Sequence, residues 1–232
     1  MNEGLQTSQY GSSYGADLAT QQQRVLRNTY WLLALSMVPT VLGAWIGVST
    51  GIMASLGMGA SAIVFFAGAF GLMYLIEKTK NSSAGVLALL GFTFFMGLML
   101  SRLLIPVLGF RNGSSLVMTA FGGTAAIFFV MASLATVIKR DLSGMGKFLL
   151  VGALILMVAG IANIFLQSSA LMLTILVAVL GVFSALMLYD IKRIVDAGET
   201  NYVTATLHLY LDAYNVFQSL LSLLGIFGGE RD

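Results

Sequence analysis

Three stretches of this chain carry no charged residue at all: Asn28 to Ile76, Asn112 to Ile138 and Phe148 to Tyr189. An α-helix rises ~1.5 Å per residue, so about 20 residues cross the ~30 Å hydrocarbon core of a bilayer, and the first and third runs each hold two crossings. Charged residues make up 9% of the chain and hydrophobic ones 58%, against roughly 25% charged in a soluble domain. Continuous apolar runs of this kind exclude a membrane β-barrel, whose strands would alternate over about ten residues. The fold class is therefore an all-α polytopic membrane protein. Seven transmembrane helices are predicted, over residues 28–50, 53–76, 84–108, 115–138, 147–167, 170–194 and 203–227. Turn chemistry falls between them at Gly57-Met58-Gly59, Asn81-Ser82-Ser83, Gly109 with Asn112-Gly113, Ser143-Gly144, Gln167-Ser168-Ser169 and Ala197-Gly198-Glu199.

The basic residues set the orientation. With the amino terminus inside, Arg24, Arg27, Lys78, Lys80, Lys139, Arg140, Lys147, Lys192 and Arg193 face the cytoplasm, nine of the twelve. Arg111 and Arg231 face out and Arg102 lies within a span, near its outer end, where it can snorkel to the interface. This is the distribution the positive-inside rule demands, and it puts the carboxyl terminus outside. The net charge of +2 is accounted for by this topology and gives no sign of a nucleic-acid partner. Residues 1–23, rich in Gln, Ser, Gly and Tyr, lack the apolar region of a signal peptide and read as a disordered cytoplasmic tail before a single domain over residues 24–229. Gly43-xxx-Gly47 offers a neighbouring helix a close approach. The chain has no cysteine and one histidine, which excludes disulfides and an ordinary zinc centre.

Asp190 and Asp212 stand inside the sixth and seventh predicted helices, eleven residues to either side of Asn201. A carboxylate in the hydrocarbon layer costs several kcal/mol, so such a residue marks a functional site. If the two helices form an antiparallel hairpin with its apex near Gly198 to Asn201, equal counts along each arm bring the aspartates to one depth. They can then face each other across the ~8 to 10 Å between packed helices. The alternative is an interfacial Asp190 paired with Lys192 or Arg193. Two close carboxylates in a low dielectric cannot both ionise cheaply, so their titration belongs to the pair, with one shared proton holding the helices together. Loss of that proton favours separation or entry of a cation. Two carboxylates form only a weak, transient Ca²⁺ site, far short of a cage of six to eight oxygens.

The seventh helix carries Thr204, His208, Asp212, Asn215, Ser219 and Ser222 in steps of three or four, a polar stripe on one face. Such a helix belongs in the bundle centre. His208, one turn from Asp212 toward the cytoplasm, is placed to tune the pair, and Tyr189, beside Asp190, and Asn215 complete the candidate pH-sensing and ion-pathway residues. No resident cofactor is expected.

Several motifs carry a resemblance. Gly198-Glu199-Thr200-Asn201-Tyr202, Ala205-Thr206, Leu209-Tyr210-Leu211-Asp212 and Asn215-Val216-Phe217, with Leu188-Tyr189-Asp190 in the sixth helix, resemble the carboxyl-terminal signature of the Bax inhibitor-1 (transmembrane Bax inhibitor motif) family. Val25-Leu26-Arg27-Asn28-Thr29-Tyr30, Gly122-Gly123-Thr124-Ala125 and Asn163-Ile164-Phe165 add to it, and the whole looks most like the bacterial YccA-type branch. The resemblance implies seven helices with the last enclosed by the other six, in the bacterial inner membrane. For channel-like members it implies a pH-sensitive Ca²⁺ leak gated by an aspartate pair matching Asp190 and Asp212. Such members latch the pair with an arginine at the cytoplasmic end of the second helix, where this chain reads Glu77-Lys78-Thr79-Lys80. For the YccA-type branch it implies a modulator and slow substrate of the membrane-bound ATP-dependent protease FtsH, for which residues 1–23 would serve as a handle. Paired aspartates also resemble those of intramembrane aspartyl proteases. The Gly-x-Gly-Asp and Pro-Ala-Leu motifs of those enzymes are missing here, since the chain has Leu209-Tyr210-Leu211-Asp212 and prolines only at 39 and 106. A non-enzymatic membrane protein is the expectation.

Overall fold

In the computed structural model the described residues are 3–196 and 198–230, with side chains from residue 20 onward except Met58. They form eight helices: α1 (Glu3–Thr50), α2 (Ile52–Ser55), α3 (Met58–Thr79), α4 (Ser83–Leu108), α5 (Gly113–Val137), α6 (Ser143–Leu166), α7 (Ser169–Val195) and α8 (Tyr202–Gly228). Ala197 and Arg231 lie outside the described residues.

Six of these helices are long and apolar enough to cross a membrane: Thr20–Thr50 of α1, Gly59–Thr79 of α3, and α4, α5, α6 and α7. Their outward faces carry large apolar side chains left uncovered by protein, among them Ile63 at 71%, Phe129 at 69%, Phe148 at 85% and Phe165 at 82% exposed. A soluble surface does not present contiguous apolar area on this scale, whereas lipid covers it without cost. The seventh crossing, α8, is 27 residues long but interrupted by its polar stripe. It packs against α1, α3, α4, α5 and α7, while α6 lies outside on α7. The last helix is thus central, although five long helices surround it rather than six. The two helices show the difference in burial: α8 buries Val203, Leu209, Tyr210, Val216 and Leu221, and α6 buries no residue.

The expected boundaries hold to a few residues, with two differences. The second crossing starts at Met58, not at residue 53, because Gly51 in the left-handed region (φ 64°) ends α1 and a separate four-residue turn, α2, intervenes before Gly57. At the other end, helical backbone continues to Glu3 across residues expected as a disordered tail, so no break marks residue 23. Elsewhere local chemistry ends the helices where expected. Gln167 closes α6 in the left-handed region, Ser168 accepts from Leu171 N at the start of α7, and Ser143 donates N–H and hydroxyl to Asp141 (2.8 and 2.9 Å) before α6. Those two bonds hold the Asp141 carboxyl below its usual range.

The tightest helix contact is α1 on α4. A Cβ on Gly43 would lie 2.1 Å from the Phe94 carbonyl oxygen, and one on Gly97 would lie 2.1 Å from that of Thr40. Gly43 and Gly47 therefore do what their spacing suggested, with Gly97 as the reciprocal partner.

Hydrogen bonds between turns define the two ends of the bundle. Asn112 Nδ2 donates to Gly228 O (2.7 Å) and Arg111 N to Glu230 O (3.1 Å), which places the carboxyl-terminal end beside the α4–α5 turn. At the opposite end Asn201 Nδ2 donates to Lys80 O (3.1 Å) and Asn81 Oδ1 (2.8 Å), joining the α7–α8 turn to the α3–α4 turn. The basic residues of the α3–α4, α5–α6 and α7–α8 connections share this second end, the cytoplasmic one.

Candidate functional site

The α7–α8 hairpin is built around Asn201. Its Oδ1 accepts from Val203 N (2.9 Å) and Thr204 N (3.1 Å), capping α8, while its own N–H donates to Glu199 Oε1 (2.9 Å). The charges of the turn pair among themselves: Lys192 Nζ with Asp196 Oδ1 at 2.6 Å, and Arg193 Nη2 with Glu199 Oε2 at 3.1 Å. Asp190 is therefore ion-paired to neither neighbouring base, and the interfacial alternative for it does not hold.

Asp190 faces inward instead. Its carboxyl meets that of Asp212 across the α7–α8 interface, within reach of a single hydrogen bond. Asp212 is 3% exposed, and its Oδ2 is fully buried with no N–H or O–H bonded to it among the described residues. The facing Asp190 carboxyl can supply a donor to Asp212 only when protonated. His208 lies on the same side, four residues before Asp212 and so ~40° away around the helix. Its Nδ1 is 3.8 Å from Asp190 Oδ1, so it adjoins the less buried acid rather than Asp212 itself. Side-chain exposure falls from 38% at His208 to 13% at Asp190, so the site opens toward the cytoplasm and ends at Asp212.

On the opposite face of α8 the bundle is filled. The Tyr210 hydroxyl is 2.9 Å from Thr40 Oγ1 and 3.4 Å from Thr93 O, and the Tyr214 hydroxyl donates to Met96 O (3.1 Å). The two rings stack 6.0 Å apart, with Phe92 set edge-on to Tyr210. This tyrosine pair ties α8 to α1 and α4. Sequence reasoning gave Tyr210 and Tyr214 no role, yet their i, i+4 spacing on the central helix was the available signal.

Tyr189 lies elsewhere, and Asn215 is hydrogen-bonded along its own helix. Tyr189 turns its ring onto α6, where a Cβ on Gly146 would come within 2.3 Å of it. It is ~100° around α7 from Asp190 and cannot share its face. Asn215 spends its amide on its own helix, donating to Leu211 O at 2.8 Å. Arg102, rather than snorkelling, donates to Met53 O (2.9 Å), Leu56 O (3.0 Å) and Ser61 Oγ, fastening α2 and the start of α3 to α4. Among the described residues no group of three or more His, Cys, Asp or Glu side chains could hold a metal ion. The acid pair offers oxygens to a proton or a passing cation and does not form a cage.

Comparison with known proteins bears on what such a site serves. A family profile described as "Inhibitor of apoptosis-promoting Bax1" matches residues 22–229. An uncharacterized protein of Neisseria meningitidis is 37% identical over 209 residues, 89% of this chain and 92% of that protein. The Escherichia coli K12 protein named "Modulator of FtsH protease YccA" is 36% identical over 214 residues, 92% of this chain and 95% of its own length. Its counterpart in Escherichia coli O6:H1, named "Inner membrane protein YccA", matches equally.

Proposed function

The chain belongs to the Bax inhibitor-1 family, and we propose that it works in the bacterial inner membrane as a modulator of an FtsH-type, membrane-bound ATP-dependent protease. The observation that carries this reading is 36% identity to a protein of that name across 92% of the chain and 95% of the relative. The bundle suits the role. Almost all of its mass is intramembrane, and the helical backbone of residues 3–19 precedes the first crossing at Thr20. Gly4, Gly11 and Gly15 each cost this stretch about 1 kcal/mol of helical propensity relative to alanine. A segment of that composition unwinds readily for a protease that must grip unfolded chain.

Deleting residues 2–19 tests this reading. In cells carrying the protease, the truncated protein is expected to outlast the full chain, and degradation of other membrane substrates is expected to respond less to its overexpression. Equal lifetimes and equal effects on those substrates would overturn the modulator reading.

A second reading rests on a separate observation, the facing acids with an unpartnered buried oxygen. In it the same bundle is a pH-sensitive cation leak. With one proton shared by Asp190 and Asp212 the cytoplasmic half stays shut. Loss of that proton as pH rises sets like charges together and draws in Ca²⁺ or another cation. Purified protein in liposomes is then expected to pass more Ca²⁺ at higher pH, and Asp212→Asn is expected to flatten the profile. A profile unchanged in the variant would overturn the leak reading and leave the protease assay unaffected.

A further inference from the structure

Helices α1 and α5 both pack on α8, yet they barely touch each other. Toward the cytoplasm the edge-on pair of Tyr30 and Phe128, ring centroids 5.9 Å apart, closes the gap between them. In the outer half it stays open as a cleft of about 530 Å³, walled by α1 from Met37 to Val48 and by α5 from Val117 to Thr124. The back wall is α4, and the floor is α8 at Tyr210, Ala213 and Tyr214. The mouth faces outward between Val41 (65% exposed) and Met118 (71% exposed), on the same surface as the bare apolar faces of the other crossings. The cleft is therefore continuous with the lipid interface.

What can fill it is tightly limited. A buried water needs two to four polar partners, and the polar groups here are already engaged. The hydroxyls of Tyr210 and Thr40 bond to each other, and Thr124 Oγ1 donates to Ala120 O at 2.8 Å. An empty space many times the ~30 Å³ share of one water would forfeit dispersion contacts along its whole lining. A hydrocarbon chain satisfies both limits. From Met37 to Val48 the α1 wall is ~16 Å long, the depth of one leaflet of a ~30 Å core.

A cation for a head group stands in the turn that follows the α4 wall. Leu108, at the end of the α4 wall, is followed three residues later by Arg111 in the α4–α5 turn. Arg111 is exposed and makes no ion pair among the described residues. It stands on the face that the positive-inside distribution otherwise leaves poor in cations.

We propose that this cleft is a phospholipid site, with one acyl chain of an outer-leaflet lipid lying between α1 and α5 against α8 and its phosphate meeting Arg111. The chain would rest on the side of α8 away from the acid pair, against Tyr210 and Tyr214. The site depends on neither functional reading above.

The test is retention. Full-length protein is reconstituted into nanodiscs of phosphatidylethanolamine and phosphatidylglycerol, transferred to a mild detergent and weighed intact by native mass spectrometry. One phospholipid is expected to remain per protomer. Ala213→Phe at the floor and Val41→Trp at the mouth are each expected to cut retention roughly tenfold, with unchanged monodispersity as the folding control; if Ala213→Phe fails that control, Val41→Trp decides alone. Arg111→Gln is expected to keep the chain site but to release its lipid several-fold faster. A wild-type protein without bound phospholipid, retention unchanged in the folded cleft variants, a bound free fatty acid, or a second protein copy covering the cleft would each overturn the proposal. Unchanged release from Arg111→Gln would overturn its head-group contact.

Discussion

Replacing Asp212 by asparagine should stabilise this protein, but only where the acid pair has lost its shared proton. In the ionised pair Asp212 Oδ2 is a buried charged acceptor without a donor, a defect of about 1 to 3 kcal/mol. Repulsion adds to it, about 4 kcal/mol for unit charges ~4 Å apart at an effective dielectric near 20. Asparagine keeps the shape, removes one charge and turns an N–H toward Asp190, a charge-assisted bond contributing about 1.5 to 3 kcal/mol. While the proton is shared, wild type already makes the equivalent O–H bond, and the two proteins should differ by less than about 1 kcal/mol. The sign follows from linkage. Where the folded state holds a proton that the unfolded state does not, stability falls as pH rises. Wild-type stability should therefore decline with pH while that of Asp212→Asn stays flat, the gap reaching about 3 kcal/mol or more. For a chain of this length that corresponds to ~6 to 12 °C in unfolding temperature. Thermal unfolding in detergent across a pH series reads it directly. A wild-type curve without slope, together with a variant that melts lower at every pH, would refute the reasoning.

Other changes separate what the remaining contacts do. Asn201→Asp retains the oxygen that caps α8 and loses the two bonds from Nδ2 to the α3–α4 turn, whereas Asn201→Ala loses both. The alanine variant should be less stable than the aspartate variant by the ~1 kcal/mol of a helix cap, and equal melting of the two would count against the cap. Gly97→Ala puts a methyl 2.1 Å from a backbone oxygen, so α1 and α4 must part. An expected loss of about 1 to 3 kcal/mol would show as earlier unfolding, and a neutral result would mean the pair is not tightly held. Tyr210→Phe removes one hydroxyl while Thr40 keeps its bond to Ser36 O, so the cost should be only ~0.5 to 1.5 kcal/mol.

The crossings were legible because lipid imposes a simple rule: charge-free runs of sufficient length must span. The depth of the acids was legible too, since equal counts from Asn201 along an antiparallel hairpin fix it. Helical rotation was not legible, because packing decides it. Tyr210 and Asp212 are two residues and ~200° apart on one helix, so the hydroxyl network with α1 and α4 and the acid contact with α7 arise from opposite faces of α8. The same geometry takes Tyr189 away from Asp190 and onto Gly146. Arg102 was misread for a related reason. Its position in the span suggested an outward-reaching side chain, whereas carbonyl oxygens freed by the break at Gly51 captured it, and no local pattern in the fourth helix announces that capture. The short turn α2 was lost among apolar residues that continue the hydrophobic run without continuing the helix.

The most direct test of the central claim is infrared difference spectroscopy on the protein in lipid, following the carbonyl stretch of a protonated carboxylic acid through a pH titration. The account predicts one such band in wild type that disappears as pH rises and is missing from Asp212→Asn at the pH where wild type still shows it. A wild-type protein with no titrating band, or an identical band in both proteins, would contradict a proton held between Asp190 and Asp212.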